Sequence, residues 1–91
     1  MLDPRIKLRH LRTFVEVARR GSVKQAADHL AVTQPAVSKT LEELEDIAGA
    51  RLMDRSRSGV VLTPIGEMYL HHAGSALASL IQGMDGIAQD R

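Results

Sequence analysis

A chain of 91 residues allows one domain, near the lower limit at which a single core is stable without help. The absence of cysteine excludes disulfides and thiolate metal sites, and no apolar run approaches the roughly 18 residues of a membrane span, so we expect a cytoplasmic protein outside the membrane. A net charge of +1 argues by itself against nucleic-acid binding. The charges are unevenly distributed, however: residues 1–40 carry eight basic and three acidic residues, whereas residues 41–91 carry four basic and eight acidic residues. Such a chain can present one basic face, although two ordinary solvated helix faces would give the same imbalance.

The first two predicted helices follow from apolar spacing and from end signals. Gly21 is a natural stop for the first helix, in which apolar residues recur every three or four positions: Leu8, Leu11, Phe14, Val15 and Ala18. Ser22 followed by Gln25 three residues later forms a capping box, which begins a second helix at once. The apolar face of that helix contains a pair of alanines that would let another helix cross at close range: Val23, Ala26, Ala27 and Leu30.

A third helix is predicted to begin after Thr33, whose side chain can cap it, with Pro35 in the first turn, where a missing N–H removes no helical bond. Gly49 is the expected stop, after a buried stripe of Val37, Leu41, Leu44, Ile47 and Ala48. Two helices joined by about three residues, the second of them amphipathic, form a helix-turn-helix pattern. Because short helix pairs are common in all-α proteins, this pattern alone leaves DNA binding as one of two equal interpretations.

Two short strands and a long helix are predicted to follow. The strand-like runs RLMDRS and GVVLT are separated by a tight turn. Thr63 and Pro64 are the N-cap and the first residue of a final helix, which carries a heptad seam of Leu70, Ala73, Leu77, Leu80, Met84 and Ile87. This seam favours dimerisation, although it can also pack on its own domain. The predicted fold is mainly α, with a winged helix-turn-helix that has a small two-stranded wing over residues 1–63 and a long C-terminal linker (dimerisation) helix over residues 64–91.

The third helix, TQPAVSKTLEELE, keeps its first turns free of acids and carries Glu42, Glu43 and Glu45 further on. A helix N-terminus has unpaired N–H groups and a partial positive charge, which suit a phosphate, and in a helix-turn-helix this end enters the major groove. The side chains opposite the buried stripe would therefore meet DNA, as hydrogen-bond donors or through methyl groups: Gln34, Ser38, Lys39, Thr33 and Ala36. In the wing, Arg55 and Arg57 would reach phosphates or the adjacent minor groove, unless they are two solvated arginines on a surface turn.

A protein-interaction module and an enzyme are the alternative classes of function. Some winged helices bind protein, and the seam offers an apolar face, but the basic first half of the chain and the acid-free helix start weigh against this class. No catalytic residue, metal ligand or cofactor is expected, because the sequence has no cysteine and no glycine-rich phosphate loop, and its histidines lack metal-ligand spacing: His10, His29, His71 and His72. We expect each histidine to be a surface or packing residue.

The stretches GSVKQAADHLAVTQPAVSKTLEELE and LMDRSRSGVVLTPIGE closely resemble the N-terminal DNA-binding domain of LysR-type transcriptional regulators. The resemblance covers nearly the whole chain. It implies that a homodimer binds an inverted-repeat promoter site in duplex DNA, with the recognition helix, at about residues 34–48, in the major groove. It also implies a tetramer in the intact protein, and a small-molecule effector that is bound only by a C-terminal domain absent from this chain.

Two further stretches, RIKLRHLRTFVEVAR and HHAGSALASL, are similar to a narrower group of the family that regulates protocatechuate catabolism. This similarity implies control of genes for the breakdown of aromatic compounds. Carried over position by position, the family's contacts with DNA fall on the third helix and on one wing residue: Thr33, Gln34, Pro35, Ala36, Ser38, Lys39 and Arg55.

Three positions depart from the family's pattern. Ser58 stands where many members carry a basic residue, which implies fewer wing contacts. Met53 replaces a common phenylalanine, which changes packing alone. Ile65 replaces a usual alanine at the start of the linker helix, which implies a small shift of that helix.

Overall fold

The computed structural model describes residues 1–90, and Arg91, the last residue of the predicted linker helix, lies outside them. Helices and strands follow one another in the predicted order: α1 (Leu8–Arg20), α2 (Val23–Leu30), α3 (Gln34–Ala48), β1 (Met53–Ser56), β2 (Gly59–Leu62) and α4 (Pro64–Gln89). The two strands pair antiparallel, with Met53 opposite Leu62 and Ser56 opposite Gly59, and form a tight hairpin.

Side-chain caps begin three of the helices at the predicted positions. Ser22, Thr33 and Thr63 each accept a hydrogen bond, through the side-chain oxygen, from the backbone N–H three residues further on, at 3.0–3.2 Å. The stop signals were also predicted correctly. Gly21 and Gly49 follow α1 and α3 with left-handed φ angles of 65° and 67°, which glycine adopts without steric cost.

The end of α2 was not indicated by the sequence. Ala31 closes this helix with a left-handed φ of 58°, although no glycine stands there. An alanine in this region costs about 1–2 kcal/mol. The cost is offset locally, because the N–H of Val32 donates to the carbonyl of Ala27 at 3.1 Å and satisfies the helix end. This turn sets the direction in which α3 leaves α2.

The hydrophobic core surrounds α1. Phe14 and Val17 of α1 are fully buried in this core, and the centroid of the Phe14 ring lies 5.6 Å from that of the Tyr69 ring on α4. The other helices and the start of the wing contribute small or medium-sized apolar side chains to the same core: Ala26, Ala27, Val37, Leu41, Leu44, Leu52, Met53 and Ala73. The buried residues of α3, Val37, Leu41 and Leu44, face this core, so the opposite face of α3 is turned outward.

Hydrogen bonds attach the wing to the helical body. The N–H of Val60 donates to the carbonyl of Gly21 at 3.0 Å, which joins β2 to the turn between α1 and α2. Gly59, with φ of 124°, lies so close to this turn that a Cβ there would overlap the carbonyl oxygen of Gly21. Just before β1, the carboxylate of Glu45 accepts from the N–H of Leu52 at 2.7 Å. The wing is therefore anchored at both ends.

The helix α4 divides into a packed half and an exposed half. Leu70, Ala73 and Leu77 pack on the core, and Ala73 is buried. Beyond Leu77 every described residue is exposed, with Leu80 at 53% and Met84 at 66%. The predicted heptad seam therefore begins inside the domain and emerges from it half-way along the helix.

Candidate nucleic-acid interface

The outward face of α3 carries the residues predicted to meet DNA. Val37 is buried, as the predicted stripe requires, and Ser38 is half-buried. The first turn contains no acidic residue. The remaining predicted side chains in this part of the helix are exposed: Thr33, Gln34, Pro35, Ala36 and Lys39. The structure thus brings all six predicted recognition residues to one end of α3.

The predicted wing residue Arg55 contacts α3 directly. Its Nη1 donates to the hydroxyl oxygen of Ser38 at 2.8 Å. The sequence did not indicate this contact, because the two residues lie 17 positions apart and meet only through the docking of the wing. Arg57, the second predicted wing residue, is exposed near the tip of the hairpin. Ser58, where the family's pattern has a basic residue, lies with its hydroxyl 2.9 Å from that of Ser56.

A cleft of about 390 Å³ lies between the start of α2, the start of α3 and the wing. Three cationic side chains line it: Lys24, Arg55 and Arg57. Lys24 was not among the predicted contacts, and within residues 1–90 it forms a single surface ion pair, with Asp28, at 3.3 Å between two highly exposed groups. Such exposed pairs contribute little stability, so Lys24 remains available to another anion.

A second cleft, also of about 390 Å³, lies on the other side of α3, towards α1. Arg9, Arg12 and Lys39 line it together with Ala36. The two arginines were not predicted as contacts, although the excess of basic residues in the first 40 positions was a signal for them. The first turns of α3 therefore have cationic side chains on both sides.

A buried histidine fixes α1 against the acidic part of α3. His10 is 2% exposed, and its Nδ1 accepts from the backbone N–H of Lys7 at 2.9 Å. Its Nε2 lies 3.2 Å from the carboxylate of Glu43, to which Arg9 also donates at 3.4 Å. The hydrogen bond with His10, and then the charge of Arg9, lower the pKa of Glu43. The prediction of a packing histidine is correct for His10.

Glu43→Gln is expected to make the domain less sensitive to acid. The folded-state pKa of Glu43 is lowered, so the ionised carboxylate stabilises the fold above its ordinary pKa of 4.5, and this contribution is lost as the pH falls through the lowered value. The free energy of unfolding, measured by urea denaturation, should therefore fall less between neutral pH and about pH 3 in the variant than in the unaltered chain. Glu42→Gln, at an exposed neighbouring position, is the control and should retain the original acid sensitivity. If Glu43→Gln lost as much stability in acid as the unaltered chain, Glu43 would not be the source of the acid sensitivity.

An apolar groove of about 530 Å³ runs between α1 and the emerging half of α4. Leu8 and Val15 line its α1 side, and Leu77, Leu80 and Met84 line its α4 side. Of the residues predicted for dimerisation, these three of α4 share the groove, whereas Ala73 is buried in the chain's own core. Leu70 is half-buried there, and Ile87 is 55% exposed further along the helix.

The described residues contain neither a metal-ligand cluster nor a membrane-spanning helix. Within residues 1–90 no group of three or more His, Asp and Glu side chains could hold a metal ion. None of the helices in this part of the chain is long and apolar enough to span a membrane. His71 and His72 are both exposed, with ring centroids 5.3 Å apart.

The model of one protein family matches residues 8–67, about two thirds of the chain. It describes bacterial regulatory helix-turn-helix proteins of the lysR family. The chain belongs to the LysR family. The match begins at the first residue of α1 and ends in the first turn of α4, so it covers both clefts beside α3 and the whole wing.

Two similar curated transcriptional regulators are much longer than this chain. It is 50% identical over 90 residues to the transcriptional regulator PcaQ of Agrobacterium fabrum, covering 99% of this chain and 29% of PcaQ. It is also 50% identical over 80 residues to YdcI of Escherichia coli, covering 88% of this chain and 26% of that protein. The chain therefore spans less than a third of the length of these relatives.

Solved structures support the same assignment. The DNA-binding domain of BenM, in complex with catB site 1 DNA, superposes with a TM-score of 0.87 at 33% identity, covering 92% of this chain and 94% of that one. The DNA-binding domain of CbnR, also in complex with DNA, gives 0.82 at 32% identity, covering 94% and 100%. OxyR of Corynebacterium glutamicum gives 0.88 at 35% identity, covering 94% and 28%. The predicted family and the predicted winged helix-turn-helix fold are confirmed, and the chain is a DNA-binding domain of LysR type.

Proposed function

We propose that this LysR-type domain binds duplex DNA sequence-specifically, with the N-terminal half of α3 in the major groove. The observation that carries the proposal is the acid-free, exposed start of α3 with cationic side chains in the clefts on both sides of it. The two phosphate backbones that border a major groove would each face one of these basic flanks. The DNA complexes of the BenM and CbnR domains, which share this fold, support it.

The roles of the contact residues follow from their chemistry. Gln34 can bond bidentately to adenine and Lys39 can donate to guanine. Methyl or ring carbons of three neighbours can meet a thymine methyl or exclude water: Thr33, Pro35 and Ala36. Arg55 and Arg57 of the wing would donate to phosphates or reach the adjacent minor groove. Ser38 lies between these groups, beside Arg55.

We also propose that the active form is a homodimer, joined through the exposed half of α4, on an inverted-repeat promoter site. Residues 1–63 would form the DNA-binding unit and residues 64–91 the linker and dimerisation helix. In the intact protein, a C-terminal domain would bind a small-molecule effector and complete a tetramer. The 50% identity to PcaQ supports control of aromatic-compound catabolism. The proposed role requires no catalysis and no cofactor, and the relatives are transcriptional regulators.

Gln34→Ala is expected to reduce discrimination between the specific site and unrelated duplexes by about 1–3 kcal/mol, because a bidentate contact with a base edge would be lost. The measurement is the ratio of the two Kd values at one salt concentration. Gln82→Ala, which removes an exposed glutamine from the far half of α4, is the matched control and should leave the ratio unchanged. Equal losses of affinity on specific and unrelated DNA would exclude Gln34 from base recognition.

Leu80→Ser combined with Met84→Ser is expected to weaken the dimer about tenfold or more. Burial of each apolar side chain in an interface contributes roughly 1.5–3 kcal/mol, and the substitutions remove most of this surface. Sedimentation equilibrium gives the dimer Kd directly. The helix itself should persist, because both positions are exposed in the single chain. Gln82→Ser serves as the control. An unchanged dimer Kd in the double variant would place the interface elsewhere.

A further inference from the structure

Two contacts of different kinds join the hairpin to the helices, in addition to the bonds from Leu52 and Met53 to Glu45 of α3. Close to the tip of the hairpin, the backbone N–H of Val60 donates to the carbonyl of Gly21 at 3.0 Å. Across the cleft, the side chain of Arg55 donates from Nη1 to the hydroxyl oxygen of Ser38 at 2.8 Å. Arg55 pairs with Val60 across the hairpin, so the first contact determines where the guanidinium of the second can reach. The wing therefore lies next to Ser38 and also forms a hydrogen bond with its hydroxyl group.

The bond from Arg55 decides what Ser38 can offer to a ligand. A serine hydroxyl has one donor hydrogen and two acceptor lone pairs, and its hydrogen rotates to suit its partners. Because a lone pair of Ser38 faces a guanidinium N–H, its own hydrogen must point away from Arg55. Ser38 is then directed to donate, which matches acceptors on base edges such as N7 and O6 of guanine or O4 of thymine.

Arg55 has further N–H groups that can donate to a second partner. A guanidinium carries five N–H donors in a fixed fork, and the bond to Ser38 uses one of them. The others can meet a backbone phosphate at the wing, while the fork keeps its geometry towards Ser38. One side chain can thus join a phosphate contact, which carries no sequence information, to a hydroxyl on the recognition helix.

We infer that Arg55 is a specificity-determining residue that acts through Ser38, in addition to any phosphate that it binds. This inference rests on the proposed function, because it assumes that α3 reads base edges. Arg57 provides a contrast within the same hairpin. It lines the same cleft and carries the same charge, but its side chain forms no hydrogen bond with α3 within residues 1–90.

The test compares four variants of the whole chain on duplexes selected from a random pool: Ser38→Ala, Arg55→Ala, their double variant, and Arg57→Ala as the control. Selection with Ser38→Ala first identifies the base pair whose preference depends on Ser38. The discrimination ratio at that base pair is then measured for every variant. Circular dichroism checks that each variant is folded. The slope of log Kd against log salt is measured in parallel.

Ser38→Ala and Arg55→Ala should each lower the discrimination ratio at that base pair about fivefold, the value of one hydrogen bond, and the double variant should lower it no further. Arg57→Ala should leave the ratio unchanged, although it should reduce the salt slope by roughly one, as Arg55→Ala also should. A multiplicative loss in the double variant, or an unchanged preference in Ser38→Ala or in Arg55→Ala, overturns the inference. Failure of the proposed function is read separately, from the absence of any enriched sequence with the unaltered chain.

Discussion

Gly66→Ala should lower the free energy of unfolding of this domain by about 3 kcal/mol, because the packed structure has no space for a methyl group at this position. Gly66 lies in the first turn of α4, where an added Cβ would overlap the backbone carbonyl oxygen of Leu52. That carbonyl cannot withdraw easily, since it accepts from the N–H of Thr63 at 3.0 Å. The N–H of Gly66 is itself held by the cap of Thr63, at 3.0 Å. Relief of the overlap would therefore separate α4 from the wing.

The chain contains a matched control in the same helix. A Cβ at Gly83 would meet nothing within 4 Å, and this glycine has no positive φ. Gly83→Ala is expected to leave the stability unchanged or to raise it by up to about 1 kcal/mol, since alanine is the better helix former. Urea denaturation followed by circular dichroism at 222 nm, a wavelength sensitive to helix, measures both variants. Equal stability of the two variants would show that α4 does not meet the wing at Gly66.

Gln34→Glu should weaken binding to the specific duplex about tenfold or more while leaving the fold intact or slightly more stable. Gln34 is the first residue of α3, after the cap of Thr33. A carboxylate in this first turn interacts favourably with the helix dipole, by about 0.3–1 kcal/mol. In the proposed complex the same carboxylate would face phosphates and lose its donor to adenine. Stability and affinity are thus expected to change in opposite directions, which excludes unfolding as the cause of weaker binding.

Gln82→Glu makes the same change of charge at an exposed position of α4 and is the control for net charge. Its Kd on the specific duplex should stay within about twofold of that of the unaltered chain at physiological salt, where exposed charges more than about 8 Å apart are largely screened. Thermal melts of both variants provide the stability. Equal affinity of Gln34→Glu and Gln82→Glu would place the start of α3 away from the DNA.

Local signals explain why the order and ends of the elements could be predicted. Caps at Ser22, Thr33 and Thr63 and the stops at Gly21 and Gly49 act within a few residues, so the sequence contains the whole interaction. The end of α2 at Ala31 escaped prediction because its left-handed conformation is held by the fold and not by the preference of alanine.

Long-range contacts were beyond the reach of the sequence. The bond between Arg55 and Ser38 spans 17 positions, and that between His10 and Glu43 spans 33. Both depend on where packed helices and the wing come together, which no local pattern encodes. Glu45 was grouped with the acids at the far end of α3, but its carboxylate accepts from the backbone N–H groups of Leu52 and Met53, where β1 begins.

The sequence predicted the residues of the candidate site on α3, but not those that other helices contribute. Periodicity gives the outward face of α3, and that face is where the structure places Gln34 and Lys39. Periodicity along one helix says nothing about which side chains of other helices stand beside it, so Arg12 and Lys24 were missed. The heptad seam of α4 was predicted as one continuous surface, whereas α1 covers its first half and leaves the second exposed.

Selection of bound duplexes from a random DNA pool at near-physiological salt, followed by sequencing, tests the proposed function most directly. We expect enrichment of an inverted repeat whose half-sites are separated by about one helical turn or a multiple of it, because a two-fold dimer would present one α3 to each half-site. Circular dichroism on the same preparation must show a folded domain. A folded chain that enriches no sequence from the pool would contradict the account.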